Sequence, residues 1–222
     1  MDPNMEERRR RERQQARPGA KLFAEACRSG DVGQFYAAVD AIRYLGDGWT
    51  CAFRRVAKLS SRAPEAIQHE FQLIWFEAKW LASQCDDKHA FLDALRVLFP
   101  PYQGPAVRLW RGAAAREQRL RKLYGPSWSA SIEEADFFAR RFQYRLGGSV
   151  VLETLAPAEA IISAPCLTGP YFEHAHGKRQ YDEHEYLVDG RRLHTVRVVR
   201  RYQQIDLEEW KRRGKAEGTR CS

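Results

Sequence analysis

The stretch "SWSASIEEADFFARR", residues 127–141, changes from one secondary-structure pattern to another within a few residues. Residues 127–129 alternate polar and apolar side chains, which is typical of a strand. Ser131 stands three residues before Glu134, and this spacing predicts a capping box, in which the serine hydroxyl and the glutamate carboxylate satisfy free amides at the start of a helix. The helix is predicted to run to about Arg141 and to bury Ala135, Phe138 and Ala139.

The two sides of this stretch differ in pattern. Residues 20–100 have apolar residues at helical spacing, interrupted at 29–31, 46–48 and 60–64, and an aspartate pair, Asp86-Asp87, that can cap a further helix. Residues 101–222 contain short alternating or apolar runs that predict strands at 106–110, 149–155, 160–163, 185–188 and 195–200. We therefore predict an α+β protein with three parts: a flexible or frayed helical basic arm (1–19), a helical region (20–100) and a strand-rich core (101–222).

The helical region carries an apolar stripe that we assign to packing. Its members recur at i, i+3 and i+4 spacing: Phe71, Ile74, Trp75, Ala78, Leu81, Ala82 and Cys85.

Composition narrows the class of protein. The 222 residues are 44% hydrophobic and carry a net charge of +8, which permits nucleic acid or another acidic partner. No run approaches the length of a membrane span, and the charged N-terminus has no apolar stretch behind it, as a secretory signal would have. Five widely spaced cysteines indicate reduced thiols without a disulfide framework or a zinc site. These features predict a cytoplasmic protein without a membrane partner.

Three short motifs in the strand-rich part carry candidate chemistry. Arg111 and Gly112 follow an apolar run, where a guanidinium can bind phosphate and a glycine lets a backbone approach closely. Ser127 and Ser129 are two apart on a strand, so their hydroxyls share a face. Glu183 and Glu185 also share a face at the start of the strand 185–188. Taken singly, each motif is also explained by ordinary surface, turn or edge-strand structure.

In this order and spacing the three motifs resemble the signature of mono-ADP-ribosyltransferases of the arginine-serine-glutamate, cholera-toxin-like branch. The resemblance covers about residues 105–200 and rests on Trp-Arg-Gly at 110–112, Ser-Trp-Ser at 127–129 with Ala135 six residues on, and Glu-His-Glu at 183–185. It implies a β-sandwich core, NAD as co-substrate, and transfer of ADP-ribose to a macromolecular acceptor. It further implies a toxin-like enzyme of a bacterial or phage conflict system, acting in the producing cell or in a target cell, with an antitoxin or inhibitor protein as a possible partner.

The resemblance also implies a role for each motif residue. Glu185 would stabilise the charge that develops on the ribose, Ser127 would orient Glu185, and Arg111 would hold the NAD phosphate. Gly112 would lie against the nicotinamide and Ser129 would complete the NAD site. Glu183 would face the acceptor, which favours a protein arginine and leaves RNA or DNA open.

Three features depart from, or extend, the family pattern. Trp128 occupies the middle of the serine motif, where threonine is frequent. The segment 142–148 is short, so that the aromatic residue expected to stack on nicotinamide is unassigned, with Phe142 and Tyr144 as candidates. The loop 164–182, which precedes the glutamates, would recognise the acceptor through aromatic and basic side chains: Tyr171, Phe172, Lys178, Arg179 and Tyr181.

Three other functions remain open. The first is hydrolysis of NAD without a macromolecular acceptor. The second is a non-catalytic RNA-binding or adaptor module, suggested by the basic charge; it predicts salt-dependent binding without NAD turnover. The third is metal binding, for which the candidate ligands are Cys166, His174, His176 and His184. These residues lack the spacing of a regular ligand set, so we expect no metal.

Overall fold

The computed structural model of the protein describes residues 3–78, 81–116, 124–165 and 185–217. The chain divides into two compact units, an N-terminal unit, Met1–Pro101, and a C-terminal unit, Tyr102–Ser222. The boundary predicted from the sequence, between residues 100 and 101, lies one residue away.

The described part of the N-terminal unit is helical. Its helices begin and end at the predicted interruptions, and Asp87 caps the last of them by accepting a hydrogen bond of 3.0 Å from the Ala90 amide. The helices are α1 (Pro3–Ser29), α2 (Val32–Ile42), α3 (Gly48–Val56), α4 (Glu65–Glu77) and α5 (Lys88–Leu98).

Helix α1 includes the residues that the sequence predicted as a separate arm. From residue 3 onward they form one continuous helix with the segment after Pro18. Ala16 and Ala20 are fully buried. A side chain at Gly19 would lie 2.8 Å from Cγ2 of Ile42, so this glycine allows α2 to approach α1 closely. Gly19, where the predicted arm ends, is therefore part of a helix–helix contact.

The apolar stripe of residues 71–85 does not lie on one helix, because α4 ends at Glu77 and Leu81–Ser83 form a separate 3-10 turn. Most of its side chains are nevertheless buried, namely those of Phe71, Trp75, Ala78, Leu81 and Cys85. Trp75 packs face to face on Phe91, with 6.1 Å between the ring centroids, and Leu81 is fully buried. The assignment of the stripe to packing agrees with this burial.

The C-terminal unit contains an antiparallel sheet. In the described residues its strands are joined in one six-stranded sheet of order β4-β5-β2-β1-β3-β6, where the resemblance implied a sandwich of two sheets. The strands are β1 (Val107–Ala114), β2 (Ser127–Ser129), β3 (Ser149–Ala156), β4 (Ile161–Ser163), β5 (Glu185–Val188) and β6 (Arg197–Tyr202), and the helices are α6 (Ile132–Arg141) and α7 (Leu207–Glu217). Together the two units give the α+β architecture predicted from the sequence.

The two faces of the sheet bury different residues. On one face, Leu109, Trp128 and Val188 belong to a large apolar cluster. On the other face, Ala135 and Ala139 of α6 pack against Val151. Because alternate residues of a strand point to opposite faces, this division decides which candidate site residues can meet.

Candidate functional site

The predicted cap at the start of α6 forms, although its partners differ from a capping box. The Ser131 hydroxyl accepts a hydrogen bond of 3.2 Å from the Glu134 amide, as expected. The Ser131 amide donates to Oγ of Ser129 at 3.0 Å, the place that a capping box gives to the carboxylate of Glu134. Glu133 accepts from the Ser131 hydroxyl instead. The bonds that Glu133 accepts from its own amide and from this hydroxyl lower its pKa. Ser129 therefore joins β2 to α6.

The three motifs lie on three neighbouring strands, because β2 lies between β1 and β5. Ser129 is directly opposite Glu185 on β5 and opposite Trp110 on β1. Ser127 is opposite Leu187. Ser129 is thus the directly opposite neighbour of Glu185, and Ser127, on the same face, is its diagonal neighbour.

Residues directly opposite each other share a face, so the register extends across the sheet as a row of side chains. Trp110 is also opposite Glu153 on β3, and Glu153 is opposite Arg197 on β6. We call the five residues Glu185, Ser129, Trp110, Glu153 and Arg197 the cross-sheet row. With strands about 4.8 Å apart, Glu185 and Glu153 are separated by roughly 14 Å.

Trp110 places a hydrogen-bond donor inside this row. Its indole Nε1 is buried and has no hydrogen-bond partner among the described residues. A buried polar group without a partner costs about 1 to 3 kcal/mol. A carboxylate, a hydroxyl and an indole N–H therefore lie side by side on one face.

Arg111 emerges on the opposite face of β1, because it lies one residue from Trp110. Its guanidinium donates to the backbone oxygen of Ser127. Gly125 provides the space, since a Cβ at this position would lie 2.4 Å from Nη2 of Arg111. The arginine thus bonds the beginning of β2 and does not belong to the row that contains Ser129 and Glu185.

Gly112 is required by packing. A Cβ at this position would lie 2.3 Å from the backbone oxygen of Ala135 and 2.3 Å from the backbone nitrogen of Ala139. Helix α6 therefore covers Gly112 on the face of the cross-sheet row. The prediction that its backbone lies against a ligand has a competing explanation in this contact.

The other candidate residues are placed as follows. Tyr144, a candidate for nicotinamide stacking, packs against Trp210 of α7 with 4.8 Å between ring centroids. The ring of Phe142 lies 5.9 Å from the guanidinium of Arg145. Glu183, the four residues of the metal hypothesis and most of the loop 164–182 lie outside the described residues.

Sequence reasoning missed Trp110 and Glu153 as members of the site face. The signal for Glu153 was present, because it is an acid within the otherwise apolar strand SVVLETL. Arg197 donates to it at 2.7 Å and lowers its pKa.

Within the described residues, no group of three or more His, Cys, Asp and Glu side chains is arranged to hold a metal ion. None of the described helices is long and apolar enough to cross a membrane. No protein-family profile, curated protein or solved structure matches the chain. Any functional assignment therefore depends on the motifs and their geometry.

Proposed function

We propose that the protein is an NAD-dependent mono-ADP-ribosyltransferase, whose active site is built on β1, β2 and β5. The observation that carries this proposal is the meeting of the three motifs. Trp110-Arg111-Gly112, Ser127–Ser129 and Glu185 are far apart in sequence, yet they occupy adjacent strands, with Ser129 opposite Glu185.

The residues of the cross-sheet row suit a polyhydroxylated sugar. The partly buried Glu185 carboxylate accepts hydrogen bonds, and the Ser129 hydroxyl opposite it both donates and accepts. NAD supplies an N-glycosidic bond whose cleavage leaves positive charge on the ribose. A carboxylate fixed at the start of a strand stabilises that charge more than it stabilises the neutral ground state. This is the role that we assign to Glu185.

We assign two roles differently from those that the resemblance implies. Ser129, opposite Glu185, replaces Ser127 as the positioning hydroxyl. Arg111 has a structural role, because its guanidinium donates a hydrogen bond to the backbone oxygen of Ser127.

The proposal is tested by incubating the purified protein with NAD labelled in its ADP-ribose part, together with a cell lysate. Label should enter macromolecules with wild-type protein and should be nearly absent with Glu185→Gln. Protease and nuclease treatment of the product would then identify the acceptor as protein or nucleic acid. Equal labelling by both proteins would contradict the assignment of Glu185. Free ADP-ribose as the only product would indicate NAD hydrolysis instead of transfer.

A further inference from the structure

Four arginines lie on the face of the cross-sheet row, toward its β6 edge. Arg108, Arg140, Arg197 and Arg200 have side chains that are 55%, 51%, 63% and 49% exposed. We call these four residues the arginine surface. They form two clusters, and each cluster surrounds one carboxylate.

The first cluster is centred on Glu153 of β3. Its Oε1 accepts from Arg108 Nη1 and from Arg197 Nη2. The hydrogen bond from Arg197, followed by the one from Arg108, lowers the pKa of Glu153, so the carboxylate is ionised at neutral pH. Two cations thus share one anion, and the cluster keeps an excess positive charge.

The second cluster is centred on Asp136 of α6. Its Oδ2 accepts from Arg140 Nε at 3.0 Å, and its Oδ1 accepts from Arg200 Nη1 at 2.9 Å and from the hydroxyl of Tyr202. Here too two guanidinium groups share one carboxylate. Because each carboxylate fixes its arginines from below, the remaining N–H groups are oriented in advance for an external acceptor.

The spacing of the clusters fits a chain of phosphates. Arg197 is opposite Glu153 and Arg200 is opposite Val151, two residues away along β3, which corresponds to roughly 7 Å. Successive phosphates of an extended single strand of nucleic acid have a similar separation. A ligand with a single anionic group, such as one carboxylate, would need only one such cluster.

Apolar and aromatic groups accompany the charges. Leu155, opposite Arg108, is 61% exposed, and Phe137 of α6, whose ring centroid lies 5.7 Å from the guanidinium of Arg141, is 43% exposed. The guanidinium of Arg140 lies 5.3 Å from the centroid of the Tyr202 ring. Exposed rings beside arginines can stack with unpaired bases, which a duplex does not offer, so this combination favours a single strand.

We infer that the arginine surface binds the phosphate backbone of single-stranded nucleic acid. Glu185 lies on the same face, at the other end of the cross-sheet row from Arg197, so a bound strand lies on the face of the sheet that carries the proposed reaction site. Its role as the acceptor of ADP-ribose rests on the proposed function, whereas binding itself does not.

The test is fluorescence anisotropy of a labelled single-stranded oligonucleotide of mixed sequence, titrated with protein at several salt concentrations and without NAD. The variant Arg108→Gln/Arg197→Gln removes two phosphate contacts. The slope of log affinity against log salt should become shallower by about 1.4, and the affinity should fall roughly 25-fold at 0.1 M salt.

The matched control is Arg43→Gln/Arg54→Gln, in the N-terminal unit. These arginines are also about half exposed, and each bonds one carboxylate. A third variant adds Glu153→Gln to the first pair, so that no buried carboxylate is left unpaired and any loss of binding is separated from misfolding. It should bind as weakly as the first variant.

The inference would be overturned by an unchanged salt slope in both variants that alter the arginine surface, by an equal loss in the control, or by full competition from polyglutamate. Because the assay contains no NAD, its failure leaves the transferase proposal intact. Conversely, a protein without NAD cleavage can still pass this test.

Discussion

Replacing Gly112 with alanine should destabilise the C-terminal unit, because α6 leaves no space for a Cβ. The added carbon would lie 2.3 Å from two backbone atoms of α6 and 2.8 Å from a third. Backbone atoms in the middle of a helix cannot rotate away, so either the helix shifts from the sheet or β1 is distorted. Overpacking of this kind costs typically 1 to 3 kcal/mol, and we expect the upper end, about 3 kcal/mol.

The measurement is thermal unfolding followed by calorimetry. For a unit of this size, about 3 kcal/mol corresponds to a decrease of roughly 10 °C in the midpoint of the C-terminal transition. The control is Gly33→Ala in α2, where a Cβ would lie at an ordinary 3.4 Å from its nearest neighbour. That change should be neutral or slightly stabilising, since alanine is the better helix former. If Gly112→Ala kept the wild-type midpoint while losing NAD affinity, the packing explanation would be refuted in favour of ligand approach.

Three further changes test other parts of the structure. Asp136→Asn should cost about 2 kcal/mol at neutral pH, because it weakens charge-assisted hydrogen bonds. Burial acts against ionisation there, but the bonds that Asp136 accepts lower its pKa overall. Its stabilising effect is therefore complete above the unfolded-state pKa of about 3.9 and is lost as pH falls through the lower folded-state value, so denaturation curves of the two proteins should converge only in acid. Asp87→Ala should destabilise the N-terminal unit by about 1 kcal/mol through loss of the α5 cap, measured by urea unfolding. Burial raises the pKa of Cys27 to about 12, so iodoacetamide at pH 8 should modify the partly buried Cys51 before Cys27 in peptide maps of native protein; equal rates would contradict the burial of Cys27.

Local signals in the sequence predicted local structure well. Asp87 and Ser131 cap helices as expected, because a cap depends on residues only three positions away. Strands were predicted from the alternation in residues 127–129 and from the apolar run after Glu185. These residues form the neighbouring strands β2 and β5. The strand predictions for these two motifs are therefore confirmed.

Features that depend on distant partners were not predictable in this way. Gly19 suggested the end of an arm, and its reason, the approach of Ile42, lies on another helix. The pairing of Ser129 with Glu185 is set by the register of β2 against β5, and a sequence read alone does not fix a register between strands so far apart. For the same reason the sequence did not reveal that Arg111 lies on the face opposite to Glu185.

The most direct test of the central claim is release of nicotinamide from NAD by the purified protein, followed over time by chromatography. Wild-type protein should release nicotinamide, and Glu185→Gln should be slower by roughly 10²- to 10³-fold, the effect of removing one preorganised electrostatic group. Glu208→Gln, which changes an exposed carboxylate of α7, should retain the wild-type rate. Equal rates for the wild-type and Glu185→Gln proteins, or no release by wild-type protein with lysate acceptors present, would contradict the account.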